Sequence, residues 1–154
     1  FKQCHDDQIP LKIYQQCLKE QNDFLIAHYR NWKIDFEIFN YSDDILEYFS
    51  KTNLAITRSG SSMLAELTNS NIPFISVPLP SSADNHQLKN AIYYQKNGYS
   101  YLIEEKDLEN KLYKLIKLIH EDSSLLRQIS SKQQHYSDKS VYENLDKELK
   151  LTII

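Results

Sequence analysis

Polar side chains that can bind a ligand are concentrated in two loops within residues 54–90. Each loop follows a short apolar run and leads into a helical pattern. The first loop holds Arg58, Gly60 and several serines, and the second holds His86 and Gln87. Amide N–H groups at a helix start, together with the positive end of the helix dipole, stabilise an anion such as a phosphate. The sequence therefore predicts a site for a phosphate or another polar group.

No standard nucleotide motif narrows this prediction. The first loop lacks the lysine of GxxxxGK[ST], and its single glycine does not form GxGxxG. Spacing alone thus supports a general phosphate or polar-group site.

Individual residues in the two loops allow two interpretations each. Glu66 lies one helical turn after Ser62, which is a possible N-cap. The Glu66 carboxylate can accept hydrogen bonds from two ribose hydroxyls, or it can only complement the helix dipole. His86 and Gln87 can bind a sugar or base, or be ordinary polar residues of a helix start. Arg58 can neutralise a phosphate or pair with an acidic side chain.

Composition limits the classes of protein to consider. The 154 residues are enough for one domain with a core, and a net charge of -3 gives no general reason to bind nucleic acid. Cys4 and Cys17 have no metal-ligand spacing, so we expect reduced thiols. No apolar run approaches the ~20 residues that cross a bilayer, and we expect a soluble, cytoplasmic chain. The remaining histidines are expected at the surface: His5, His28, His120 and His135.

Hydrophobic periodicity predicts an α/β fold. Strand patterns occur at 11–15, 34–39, 54–57, 73–77 and 99–103, and helical patterns at 18–30, 43–51, 62–69 and 85–97. Right-handed βαβ units then build a parallel sheet with helices on both faces. After residue 103 the pattern is helical only, with Asp107 and then Asp122 or Ser123 as helix starts and a last helix at 139–149. Asp43 and Asp44 fit N-cap positions.

The two loops closely resemble the MurG family of bacterial glycosyltransferases. The family pattern is S-R-[AS]-G, then A-E-[LI], G-x-P, P-L/F-P, D-x-Q and N-A. This chain has the corresponding segments TRSG (57–60), AEL (65–67), IP (72–73), PLP (78–80), Asp84, Gln87 and NA (90–91). Upstream, YQQC (14–17) and YSDDI (41–45) are similar to the family's H-Q-T-G and F-I-D-D-M segments. The resemblance covers roughly residues 11–140 and implies the Rossmann-like, C-terminal, donor-binding half of a GT-B enzyme.

The resemblance also implies roles for individual residues. Glu66 would bind the ribose hydroxyls of UDP-GlcNAc, and His86 and Gln87 would contact the GlcNAc hydroxyls. The turn at Tyr41 and Ser42 would meet the uracil. Three residues at the start of the following helix would lie along the ribose and diphosphate: Ser61, Ser62 and Met63. Met63 occupies a position where threonine is common in the family, so the side-chain hydroxyl contact expected there is lost. His86 occupies a position where glutamine is common.

The same resemblance predicts a site without a catalytic base. The family's G-G-S-Q-G loop, the first strand of this half and the acceptor domain with its G-G-T-G-G-H motif would all precede Phe1. The implied whole enzyme is an inverting transferase that adds GlcNAc to lipid-linked muramyl-pentapeptide in peptidoglycan synthesis, associated peripherally with the inner face of the bacterial cell membrane. No D-x-D motif occurs, and we expect no tightly bound metal and no cofactor.

Two alternatives remain open from sequence. The chain can be a stand-alone UDP-GlcNAc-binding subunit that acts with a membrane-bound partner. It can also be a domain similar to UDP-GlcNAc 2-epimerases, which share the fold.

Overall fold

A computed structural model describes residues 1–42 and 45–136 of the chain. Helices and strands alternate along these residues, as the periodicity predicts. The strands are β1 (Lys12–Gln16), β2 (Asp35–Phe39), β3 (Ala55–Thr57), β4 (Phe74–Ser76) and β5 (Tyr101–Leu102). The helices are α1 (Lys2–Asp6), α2 (Asn22–Asn31), α3 (Ile45–Ser50), α4 (Ser61–Asn69), α5 (His86–Lys96), α6 (Leu108–Glu121) and α7 (Ser124–Gln133). The predicted parallel α/β fold is confirmed.

All strand pairs are parallel, and they form two sheets. β1 pairs with β2, with Lys12 opposite Asp35. The second sheet has the order β3-β4-β5, with Ala55 opposite Phe74 and Ile75 opposite Tyr101. Among the described residues, no ladder of hydrogen bonds joins β1 to β3. Within residues 1–42 and 45–136, the edges of β1 and β3 that face away from their partners thus have no strand paired to them.

Strand β4 is the most deeply buried element because it lies between β3 and β5. All three of its residues are buried, as expected for a parallel strand covered on both faces. Phe74 packs with Leu64 and Leu67 of α4 and with Tyr94 of α5. The core therefore connects the strand to both helices that follow the candidate loops.

Helix α6 shows the predicted division into an apolar and a basic face. Ile116 and Ile119 are buried, whereas Lys111 and Lys114 are exposed. Lys117 is only half-buried because its ammonium group binds the Asp7 carboxylate at 2.8 Å. Within the described part of the chain, no helix combines the length and apolar character needed to span a bilayer.

Two local predictions need correction. Helix α4 begins at Ser61 with Gly60 as N-cap, so the predicted N-cap role of Ser62 is wrong; the Leu64 amide donates to the Gly60 carbonyl at 3.1 Å and closes the first turn. His28 is half-buried, since its ring packs beside Phe24 and Trp32. The other three of the histidines expected at the surface are exposed.

The starts of the last helices agree with the predictions. Asp107 occupies the N-cap of α6, where its carboxylate binds Lys111 at 2.7 Å, and Ser123 occupies the N-cap of α7. The predicted N-caps Asp43 and Asp44 lie outside the described residues, as does the predicted helix at 139–149.

Candidate functional site

The two candidate loops lie at the same edge of one sheet. The first loop follows β3 and leads into α4, and the second follows β4 and leads into α5. Because β3 and β4 are neighbouring parallel strands, their carboxyl ends lie side by side. Ligands of doubly wound α/β domains bind at this edge.

The N-terminus of α4 has no side-chain cap. Its first amide N–H groups have no acceptor within the helix and can bind an anion. Ser61 and Ser62 lie exposed in this first turn. Met63 is half-buried and packs against the cluster formed by Leu64, Phe74 and their neighbours, so its side chain contributes to the core.

Glu66 lies exposed on α4, in the turn after Met63. Its carboxylate forms no hydrogen bond or ion pair with any described residue. Side chains on a helix tilt towards the N-terminus, which favours a position of this carboxylate above the first turn. A carboxylate in this position can accept hydrogen bonds from a ligand.

Arg58 is paired with an acidic side chain in the structure. Its guanidinium binds the carboxylate of Glu105, which follows β5, and lies 3.5 Å from the carbonyl oxygen of Val77. The sequence allows Arg58 to neutralise a phosphate or to pair with an acidic side chain, and the structure contains the second arrangement. Sequence reasoning missed Glu105, which lies 47 residues from Arg58.

The second loop presents two residues at the start of α5. The His86 ring binds the Ala83 carbonyl through Nδ1 at 2.8 Å, so Nδ1 carries the proton and Nε2 accepts in the neutral ring. The Gln87 side chain lies half-buried between the two loops, where its Oε1 accepts from the backbone amides of Leu79 and Ser59.

The predicted uracil contacts lie at the end of the other sheet. Tyr41 and Ser42 follow β2, and Tyr41 is 78% exposed. Below them, Asn40 donates to the Cys17 carbonyl at 3.0 Å and to Asn22 Oδ1 at 2.8 Å. The hydrogen bonds of Asn40 therefore connect the carboxyl end of β2 to the carboxyl end of β1.

A cavity beside the second loop has a volume of about 280 Å³. Residues 78–80 and 104–106 form its walls, together with Asn85 and Leu88. None of the predicted ligand residues lines it. The predicted site therefore lies outside this cavity.

The fold and the site define a Rossmann-like α/β domain that carries its ligand loops at the carboxyl ends of parallel strands. The crystal structure of Acinetobacter baumannii MurG has this fold, with a TM-score of 0.77 at 20% sequence identity, over 95% of this chain and 44% of that chain. At the level of sequence, the model of the glycosyltransferase family 28 C-terminal domain matches residues 2–145. The chain belongs to this family, and the predicted resemblance is confirmed.

Two curated relatives from different organisms share one name. The UDP-N-acetylglucosamine--N-acetylmuramyl-(pentapeptide) pyrophosphoryl-undecaprenol N-acetylglucosamine transferase of Pelagibacter ubique is 38% identical over 146 residues, which are 94% of this chain and 40% of the relative. The transferase of the same name from Leptospira interrogans serovar Lai is 35% identical over 99 residues, 64% of this chain and 28% of the relative. The chain thus spans less than half the length of these relatives.

Proposed function

We propose that this chain is the donor-binding part of a transferase that moves GlcNAc from UDP-GlcNAc to lipid-linked muramyl-pentapeptide in peptidoglycan synthesis. The names of the relatives supply the substrate classes. The uncapped start of α4, beside the loop that opens α5, is the observation on which the proposal depends. A diphosphate and a sugar can lie across these two helix starts.

Each predicted residue has a place in this proposal. The amide groups at Ser61, Ser62 and Met63 face the diphosphate, and Glu66 accepts from the ribose hydroxyls. His86 and Gln87 contact the sugar. At the end of β2, Tyr41 and Ser42 meet the uracil.

The chemistry of this part is the stabilisation of the leaving group. In an inverting transfer, a base removes the proton of the acceptor hydroxyl, that oxygen attacks the anomeric carbon, and the bond to the UDP oxygen breaks. Negative charge then grows on the diphosphate, where the α4 amides and Arg58 stabilise it. We place the base outside this chain.

The domain organisation is part of the same proposal. We infer that the acceptor domain, and with it the peripheral association with the inner face of the membrane, belong to a longer polypeptide or a partner subunit. The edges of β1 and β3 that no described strand pairs with support this organisation. In the doubly wound order 3-2-1-4-5-6, one further parallel strand lies between the equivalents of β1 and β3.

Calorimetric titration tests the proposal. The chain should bind UDP-GlcNAc more tightly than UDP-GalNAc, and Glu66→Ala should weaken UDP-GlcNAc binding by about 1 to 3 kcal/mol. Glu109→Ala is the control, because Glu109 is an exposed acid at the start of α6. Absence of binding to the unaltered chain would refute the donor site, and an unchanged affinity in Glu66→Ala would remove Glu66 from it.

The acceptor side needs a separate assay. Addition of the acceptor-binding part should restore GlcNAc transfer to the lipid-linked acceptor. Release of a free sugar epimer without any acceptor would instead identify an epimerase.

A further inference from the structure

Two asparagine side chains form a reciprocal amide pair at the carboxyl ends of β1 and β2. Asn40 Nδ2 donates to Asn22 Oδ1 at 2.8 Å, and Asn22 Nδ2 donates to Asn40 Oδ1 at 3.3 Å. Asn40 Nδ2 also donates to the Cys17 carbonyl oxygen at 3.0 Å. Because a carbonyl oxygen only accepts, the nitrogen of the Asn40 amide faces Cys17, and this fixes the orientation of the pair.

The backbone of Asn40 is held as well. The ladder between β1 and β2 ends where the Cys17 amide donates to the Phe39 carbonyl oxygen at 3.1 Å. One residue further, Gln16 Nε2 donates to the backbone carbonyl oxygen of Asn40 at 3.3 Å. Side-chain hydrogen bonds therefore continue the connection between the two strands beyond the end of the ladder.

Asn22 connects the pair to a helix. It is the first residue of α2 and is half-buried, whereas Asn40 is exposed. Asn22 Oδ1 accepts from the Cys17 thiol at 3.2 Å in addition to the Asn40 amide. In the 2.8 Å bond between the two side chains, Asn22 is thus the acceptor and Asn40 the donor.

The pair holds the start of the turn that follows β2. Tyr41 and Ser42 come directly after Asn40. Tyr41 is largely exposed, so packing of its side chain contributes little to its position. The hydrogen bonds of Asn40 therefore fix where the turn leaves the sheet. A turn that is held before the ligand arrives loses less conformational freedom on binding.

We propose that Asn40 and Asn22 are positioning residues for recognition of the nucleobase, and that they maintain the preference of the site for uracil over other bases. The proposal rests on the proposed function, which places the base at Tyr41 and Ser42. A base whose donors and acceptors do not match a fixed turn leaves polar groups unpaired. Asn40 acts through the turn, and Asn22 acts by accepting from Asn40.

Asn40→Asp and Asn22→Asp separate this role from an effect of charge. Both variants add one negative charge, at side chains whose nearest atoms are 2.8 Å apart. A carboxylate at position 40 cannot donate to Cys17 or Asn22, whereas a carboxylate at position 22 still accepts from Asn40 and the Cys17 thiol. Asn31→Asp is the control, because Asn31 is the exposed residue at the opposite end of α2.

Calorimetric titration with UDP and with CDP measures the role. The two nucleotides share the ribose and the diphosphate and differ in the hydrogen-bonding edge of the base, so an added charge weakens both equally. We expect the ratio of UDP affinity to CDP affinity to fall roughly three- to tenfold in Asn40→Asp. The ratio should fall less in Asn22→Asp, which keeps the shorter bond of the pair, and should not change in Asn31→Asp.

The ratio also separates positioning from a loss of stability. Partial unfolding of a variant lowers both affinities by the same factor and leaves their ratio unchanged. Asn40→Ala, which adds no charge, should show the same fall as Asn40→Asp. An unchanged ratio in both Asn40 variants would overturn the proposal, as would an equal fall in Asn40→Asp and Asn22→Asp.

The unaltered chain distinguishes failure of this inference from failure of the proposed function. If it binds UDP and CDP equally tightly, the turn does not recognise the base, and the inference fails while the diphosphate site stands. If it binds neither nucleotide, the proposed function itself fails, and this inference with it.

Discussion

Arg58 and Glu105 form an ion pair that joins the carboxyl ends of β3 and β5 across β4. Their side chains are 50% and 42% exposed, so water screens the pair. Such a pair contributes about 0 to 1 kcal/mol to stability. A phosphate group can therefore displace Glu105 from Arg58 at a small cost in free energy.

Replacement of Glu105 by glutamine should strengthen donor binding. In Glu105→Gln, Arg58 no longer has to leave a carboxylate to reach the diphosphate, and UDP affinity should rise about two- to fivefold. Calorimetric titration at low salt measures the change. Glu104→Gln is the control, because the Glu104 carboxylate pairs with Lys106 at 3.0 Å. An unchanged UDP affinity in Glu105→Gln would show that Arg58 does not bind the phosphates.

Gly98→Ala should destabilise the domain. Gly98 has a φ of +74°, a conformation that costs an alanine roughly 1 to 2 kcal/mol. The added Cβ would also lie 2.6 Å from Lys132 Nζ, and the flexible lysine would have to move. Urea unfolding should show the loss as a lower midpoint with an unchanged slope. A midpoint equal to that of the unaltered chain would contradict the strained backbone.

Gly60→Ala should affect binding and leave folding nearly unchanged. Gly60 has an ordinary φ of -69°, and a Cβ there would meet no atom within 4 Å. Backbone conformation and packing therefore do not require glycine, whereas a ligand close to the α4 amides would. We expect weaker UDP binding, measured by titration, with a urea midpoint near that of the unaltered chain. Full UDP affinity would place the diphosphate away from Gly60.

The elements of the fold were predictable because local signals determine them. Pro73 and Pro78 lie at the two ends of the apolar run that contains β4. Each of the other strands also lies within its predicted range or differs from it by one residue. The site was less predictable, because its contacts join residues that are distant in sequence. Ser59 and Gln87 are 28 residues apart, and no local pattern shows that the Gln87 oxygen binds a backbone amide. The division into two sheets likewise depends on pairing between strands.

Gln87 and Asn90 lie three residues apart on α5, and both bind Ser59: the Gln87 oxygen accepts from its amide at 3.3 Å, and Asn90 Nδ2 donates to its carbonyl oxygen at 3.1 Å. Residues three apart lie on the same side of a helix, so both amides point to the same neighbour. The identity of that neighbour, Ser59, follows only from the packing of α5 beside the strand ends.

The two thiols should react at very different rates. Cys4 is fully buried, and burial raises the pKa of its thiol, whereas Cys17 is half-buried at the end of β1. Since the thiolate is the reactive form, we expect a disulfide reagent to modify Cys17 in the folded chain and Cys4 only after unfolding in urea. Cys17→Ser should abolish the early reaction. Rapid modification of Cys4 in folded Cys17→Ser would show that α1 opens readily.

The contact between the end of α1 and α6 should make the free energy of unfolding depend on pH in the acidic range. Asp7 accepts hydrogen bonds from Lys117 and Tyr113, and these bonds lower the pKa of its carboxyl below the ordinary value of 3.8. Because the folded chain holds the Asp7 proton less tightly than the unfolded chain, the stabilisation is complete above the ordinary pKa. It is lost as the pH falls through the lowered pKa of the folded chain.

Asp7→Asn should therefore lower the melting temperature near pH 6 and have a smaller effect as the pH falls below about 4. Thermal unfolding followed by circular dichroism measures this difference. Asp6→Asn is the matched control, because Asp6 is the exposed last residue of α1, next to Asp7, and its carboxylate lies 3.5 Å from His5 Nδ1 of α1 itself. A melting-temperature difference between Asp7→Asn and the unaltered chain that stays constant down to about pH 3 would mean that the Asp7 carboxylate does not stabilise the contact through its charge.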